Sequence, residues 1–127
     1  MLTLARTLTE LTAIDSPRAA LAAALDRLAT AFEADAPLPR ALAVARNAAL
    51  ADNARTLAIT WGREQLRLSL GEILARAAAA GEVRVTLPTD SLAWLVLAGC
   101  ESLADEPRAA APDRLRLLAE WLTGDRS

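Results

Sequence analysis

The sequence predicts an all-α fold, an antiparallel bundle of about six helices in one domain spanning residues 1–127, and three observations predict it. Hydrophobic residues make up 54% of the chain, above the roughly 45–50% usual for globular proteins, and Ala and Leu supply most of the excess. Both are strong helix formers, while the β-branched and aromatic residues that favour sheet are scarce. Apolar residues recur every three or four positions, and Pro, Gly or a capping Asp-Asn pair separates successive runs.

Residues 2–14 place Leu4, Leu8 and Leu11 on one helical stripe. Asp15-Ser16-Pro17 then stops one helix and starts the next, with Ser16 as cap and Pro17 in the first turn. The second helix, 17–35, carries Leu21, Leu25, Leu28 and Phe32 on one face and turns Asp26 and Glu33 away. "APLP" at 36–39 breaks the chain before a third helix, 39–51, whose apolar side is Leu42, Ala45, Ala49 and Leu50. Asp52-Asn53 is expected to cap the longest helix, 53–80.

That helix has two apolar faces. Leu57, Trp61, Leu68 and Ala75 lie on one side, with Ile59, Leu66, Leu70, Ile73 and Ala77 roughly opposite. Gln65, Glu72 and Arg76 run along one flank and Arg63, Glu64 and Arg67 along the other. Such a helix is expected to be sandwiched between neighbours, and Glu72 with Arg76 to form a solvated pair. Gly81 suits a left-handed end. After the extended "EVRVTLP", Thr89 or Asp90 is expected to cap a fifth helix, to about 104, that is apolar almost all round. A loop, "DEPRAAAP", precedes a last helix begun by Pro112 and ended by Gly124, with Leu115, Leu118, Trp121 and Leu122 as one broad apolar face.

The net charge of −2 leaves no electrostatic footprint for nucleic acid, and the 14 basic residues are all Arg, spread along the chain. Histidine is absent, which removes His-based triads and most zinc or iron sites. The glycines are isolated and none forms a phosphate loop. The sequence therefore predicts no enzyme, no catalytic residue, no metal and no cofactor. A lone Cys100 points to a reducing, cytoplasmic setting without a disulfide, and is read as a small core residue. The longest apolar run, 92–100, falls short of the ~20 residues a membrane span needs, and residues 1–14 do not read as a signal peptide, so no membrane partner is expected.

The three tryptophans carry more information. Trp61 stands beside Gly62, a residue costly in mid-helix and kept for close packing or for ligand room; Trp61 either fills the core or lines a pocket. Trp94 and Trp121, on the two helices with surplus apolar surface, read as interface anchors. Glu101 lies near Trp94 and needs a partner, with Arg108, Arg114 and Arg116 as candidates.

A long helix ending "LGEILARAAAAGEVR", a short extended link, a Pro-x-Asp restart and the apolar helix "LAWLVLAGCESL" resemble the C-terminal half of TetR-family transcriptional regulators. "SPRAALAAALDRLATAF" is similar to the family's fifth helix, "LPRALAVARNAAL" to its sixth, residues 53–80 to its seventh, and "DSLAWLVLAGCESLA" and "PDRLRLLAEWLTG" to its eighth and ninth. The resemblance implies a bacterial ligand-sensing and homodimerising domain. A small, mostly apolar effector would sit near Leu28, Phe32, Leu57, Trp61 and Leu68. The last two helices would pair with a second copy as a four-helix bundle through Trp94, Leu95, Leu115, Leu118, Trp121 and Leu122. Residues 1–14 match only the end of the family's connecting helix, so DNA would be reached only through a missing N-terminal domain. The alternative is a helical interaction protein without a ligand, pairing with itself or with a full-length regulator.

Overall fold

The computed structural model describes residues 1–33, 36–49 and 53–124. Six α-helices follow in order: α1 (Leu2–Leu11), α2 (Pro17–Phe32), α3 (Pro37–Ala49), α4 (Asn53–Ala79), α5 (Thr89–Glu101) and α6 (Ala111–Thr123). Two 3₁₀ turns follow α5: Ser102–Asp105 replaces the end of the helix expected to run to about 104, and Arg108–Ala110 lies in the segment read as a loop. No described residue forms a strand.

Local chemistry accounts for most of the boundaries. The Ser16 hydroxyl accepts the Ala19 N–H at 3.2 Å, and Pro17 occupies the first turn, where its missing N–H costs nothing. Ser16→Ala is expected to lower stability by about 1 kcal/mol, the usual value of an N-cap, in urea unfolding followed by circular dichroism. α3 starts two residues earlier than the sequence pattern suggests, because Pro37 and Pro39 both fit a first helical turn. Its Leu50, and the Asp52 read as a cap, lie outside the described residues.

The end of α4 follows its sequence signal closely. Gly81 has φ 76°, its N–H reaches the Ala78 carbonyl at 3.0 Å, and the Glu82 N–H reaches that of Ala77 at 2.9 Å. Paired bonds of this kind satisfy the orphan carbonyls of a helix end. Gly124 repeats the left-handed end for α6 with φ 71°, its N–H bonded to the Glu120 carbonyl at 2.8 Å. The start of α5 departs from expectation. Pro88 stands at the N-cap, and Thr89 and Asp90 lie inside the first turn without a side-chain cap bond.

α4, roughly 40 Å long at 1.5 Å per residue, is the axis of the fold and packs against α1, α2, α3 and α5. Its Leu66, Leu70, Ile73, Leu74 and Ala77 are buried together with Leu21, Leu25, Leu28 and Phe32 of α2 and Leu92, Val96 and Leu97 of α5. Burying a side chain of this size contributes about 1.5–3 kcal/mol. Between α1 and α4, the hydroxyls of Thr9 and Ser69 meet at 2.9 Å.

Arg76 does not serve as the surface partner of Glu72 that its spacing suggests. Its guanidinium donates to the carbonyls of Thr12 and Ile14, which follow the end of α1. Cation and helix end are complementary there, since C-terminal carbonyls carry partial negative charge. The link after α4 is pinned by the Arg84 N–H, which donates to the Leu122 carbonyl at 2.8 Å. No described helix is long and apolar enough to cross a membrane.

Candidate ligand cleft and apolar faces

α3 brings small side chains to the N-terminal half of α4, and small side chains leave space. A cleft of about 800 Å³ opens there, lined by Ala36, Pro37, Arg40, Ala41, Val44 and Ala45 from α3 and its approach and by Ala58 and Ile59 from α4. Volumes of roughly 300–1,000 Å³ are typical of small-molecule sites. Arg40 is the single charged residue among the described lining residues, at the end where α3 begins.

The five residues expected to form a pocket are not brought together, and none of them lines this cleft. Leu28 and Phe32 are buried in the core. Leu57, Trp61 and Leu68 are 68%, 55% and 52% exposed on the side of α4 that faces away from it. The two apolar faces of α4 are as the periodicity has them, but only the Leu66–Leu70–Ile73 face is covered, because α1, α2, α3 and α5 all pack on that half of the helix. Trp61 thus neither fills the core nor lines the cleft. Gly62 is explained by close packing: Met1 lies 3.2 Å from where a Cβ would stand.

The lining residues Arg40, Ala41, Val44, Ala58 and Ile59 escaped the sequence reading. Their one sequence signal is the small-residue series Ala41, Val44 and Ala45 at i, i+3 and i+4. That pattern equally suits a closely packed helix pair.

Large apolar side chains are also exposed on α5 and α6. Trp94, Leu95, Leu117 and Trp121 are 55%, 36%, 58% and 43% exposed. Leu115 and Leu118 are half-buried against the core, and both border a groove of about 360 Å³ shared with Gly99, Leu103 and Trp121. Leu122 is a correction to the expected interface: it is wholly buried, because its position on α6 faces inward. Leu117, absent from that expectation, is the exposed residue instead.

Glu101 finds partners other than those suggested by sequence proximity. Arg63 donates to its carboxylate through Nε at 3.0 Å and Nη2 at 2.5 Å, and Arg46 stands 3.6 Å away, so α3, α4 and α5 meet on one carboxylate. Arg108, Arg114 and Arg116 approach Glu33, Glu106 and Asp113 instead. Beside this cluster a smaller groove of about 290 Å³ holds Arg63, Arg67, Glu64 and Trp94. A hydrogen bond from Arg67 holds the Glu64 carboxyl below the usual carboxylate range, and Arg67 also pairs with Asp90.

Cys100 is buried, and burial with the neighbouring Glu101 charge pushes its thiol up to about 12. It is a packing residue with little thiolate at neutral pH. Among the described residues, no group of His, Cys, Asp and Glu could hold a metal ion.

The described residues form an all-helical fold with an open apolar cleft and with large apolar side chains exposed on α4, α5 and α6. No family model matches the sequence, and no curated protein or solved structure matches the chain.

Proposed function

We propose that this chain is a ligand-sensing, homodimerising domain of a TetR-like bacterial regulator, without DNA binding of its own. The observation that carries the reading is the exposure of Trp94 and Leu95 on α5 and of Leu117 and Trp121 on α6. Aromatic anchors on an apolar face are typical of subunit interfaces, and a stable one buries about 800 Å² on each partner. α5 and α6 of two copies would form a four-helix bundle.

The effector site in this reading is the α3–α4 cleft, not the Leu28–Trp61 region. A ligand between α3 and α4 would favour one arrangement of these helices in proportion to its differential affinity for it. In an intact regulator that preference would set the spacing of two DNA-reading heads. The chain would work in the cytoplasm, with a small apolar effector and a second copy as its partners.

Sedimentation equilibrium at tens of micromolar tests the dimer. Wild type is expected at twice the 13.4 kDa chain mass. Leu117→Glu with Trp121→Glu is expected to give a folded monomer, because both side chains are exposed and neither supports the core. Wild type running as a monomer would remove the physical basis of the proposal.

The exposed stripe Leu57, Trp61 and Leu68 favours a second reading, a ligand-free interaction protein that pairs with another chain through α4 as well. In that case the cleft stays empty and substitutions along the stripe, not in the cleft, abolish association.

A further inference from the structure

Resting on the reading of the α3–α4 cleft as an effector site, we infer that its ligand is an amphiphilic monocarboxylate, a single carboxylate on an apolar tail. The inference comes from how charge is distributed around the cleft. Among the described lining residues, seven of eight are apolar: Ala36, Pro37, Ala41, Val44, Ala45, Ala58 and Ile59. The eighth, Arg40, is exposed, and among the described residues no acid pairs with it. Arg6 and Arg27 have no described acid partner either, whereas Arg46 and Arg63 share Glu101, Arg67 holds Glu64 and Asp90, and Arg116 holds Asp113. What sets Arg40 apart is that its guanidinium, unpaired among the described residues, belongs to the lining of an apolar cleft.

A second source of positive potential lies at the same end. Arg40 belongs to the first turns of α3, whose opening turn contains no acidic residue. The N-terminal end of a helix carries partial positive charge, which acidic first-turn residues normally offset. Pro37 and Pro39 contribute no N–H, so the head of a ligand would be held by the Arg40 guanidinium and by the field of the helix end. Arg pairs with a carboxylate in a bidentate, planar fashion. One guanidinium balances one negative charge. A dianionic phosphate monoester would leave its second charge without a described cation at the Ala36–Arg40 end.

The orientation follows. The carboxylate lies at the Ala36–Arg40 end, and the tail runs past Ala41, Val44 and Ala45 of α3 against Ala58 and Ile59 of α4. Nothing polar among the lining residues meets the tail, so its chemistry is constrained by shape and not by hydrogen bonds. Selection by Arg40 therefore acts on charge, and a range of tails is accepted.

Isothermal titration calorimetry with three probes of identical tail tests this: sodium decanoate, 1-decanol and decyl phosphate, each below its aggregation limit. Wild type is expected to bind decanoate one per chain and at least tenfold tighter than decanol or decyl phosphate. Arg40→Gln is expected to reduce decanoate to the affinity of decanol while leaving decanol unchanged. Ala45→Trp, which fills the cleft, is expected to abolish both, with circular dichroism showing each variant folded. Equal binding of decanoate and decanol, both lost in Ala45→Trp, keeps the cleft as an effector site and overturns the carboxylate. Tighter binding of decyl phosphate, or a decanoate preference that survives Arg40→Gln, also overturns it. No binding by any probe, or binding that persists in Ala45→Trp, removes both the carboxylate and the cleft.

Discussion

Phe32→Ala lowers the free energy of unfolding by about 3–5 kcal/mol, whereas Trp61→Ala changes it by less than about 1 kcal/mol. The pair is informative because the family resemblance implies one pocket for both aromatics. Phe32 ends α2 inside the core, 2% exposed, among side chains that cannot collapse fully into the space it would leave. Truncation costs both its transfer energy and a cavity. Trp61 is larger but more than half exposed, so most of its surface stays in water in folded and unfolded chains alike. Urea unfolding by circular dichroism at several protein concentrations reads both values. A Trp61→Ala loss approaching that of Phe32→Ala, and growing with concentration, would mean that the outer face of α4 is covered by another chain.

Glu101→Leu is expected to cost about 2–3 kcal/mol, the next largest effect. Its carboxylate side chain is only 18% exposed and accepts two hydrogen bonds from Arg63, with Arg46 close by. Charged hydrogen bonds contribute roughly 1.5–3 kcal/mol each way, and removing the acid leaves two guanidiniums facing each other without an acceptor. The full penalty of a buried pair is not reached, because Arg63 is 40% exposed and water can reach it. Arg46→Met should cost less than Arg63→Met, in keeping with its longer 3.6 Å approach. Asp113→Ala, breaking the exposed pair with Arg116, should stay within about 0.5 kcal/mol. Equal losses at Glu101 and Asp113 in urea melts would show that the three-helix cluster contributes no more than a surface pair.

How far the candidate site was readable follows from what each residue contacts. Arg40, Val44 and Ala58 were not singled out, because a cleft is a gap between elements and no single helix encodes it. Ala41, Val44 and Ala45 have the same spacing whether a neighbour closes on them or stands off. Trp94 and Trp121 are exposed on α5 and α6, while Leu122, expected beside them, is buried and Leu117 is exposed. Leu117 and Leu122 lie about 140° apart on α6, so the inward side carries Leu122 and turns Leu117 outward. Glu101 was recognised as needing a cation, yet its partners lie 38 and 55 positions earlier in the chain.

By itself the sequence determined what is settled within a few residues along the chain. Helix identity, the Ser16 cap, the Pro17 and Pro112 starts and the left-handed ends at Gly81 and Gly124 depend on hydrogen bonds that span three to five positions and on φ values that glycine reaches without strain. The two apolar faces of α4 were determined in the same way, by periodicity. Tertiary structure alone decided which of those faces is core, where Arg76 and Glu101 find partners, and that open space lies between α3 and α4. Those outcomes depend on packing among helices distant in sequence, and two faces of similar apolarity are told apart only by the neighbours that cover one of them.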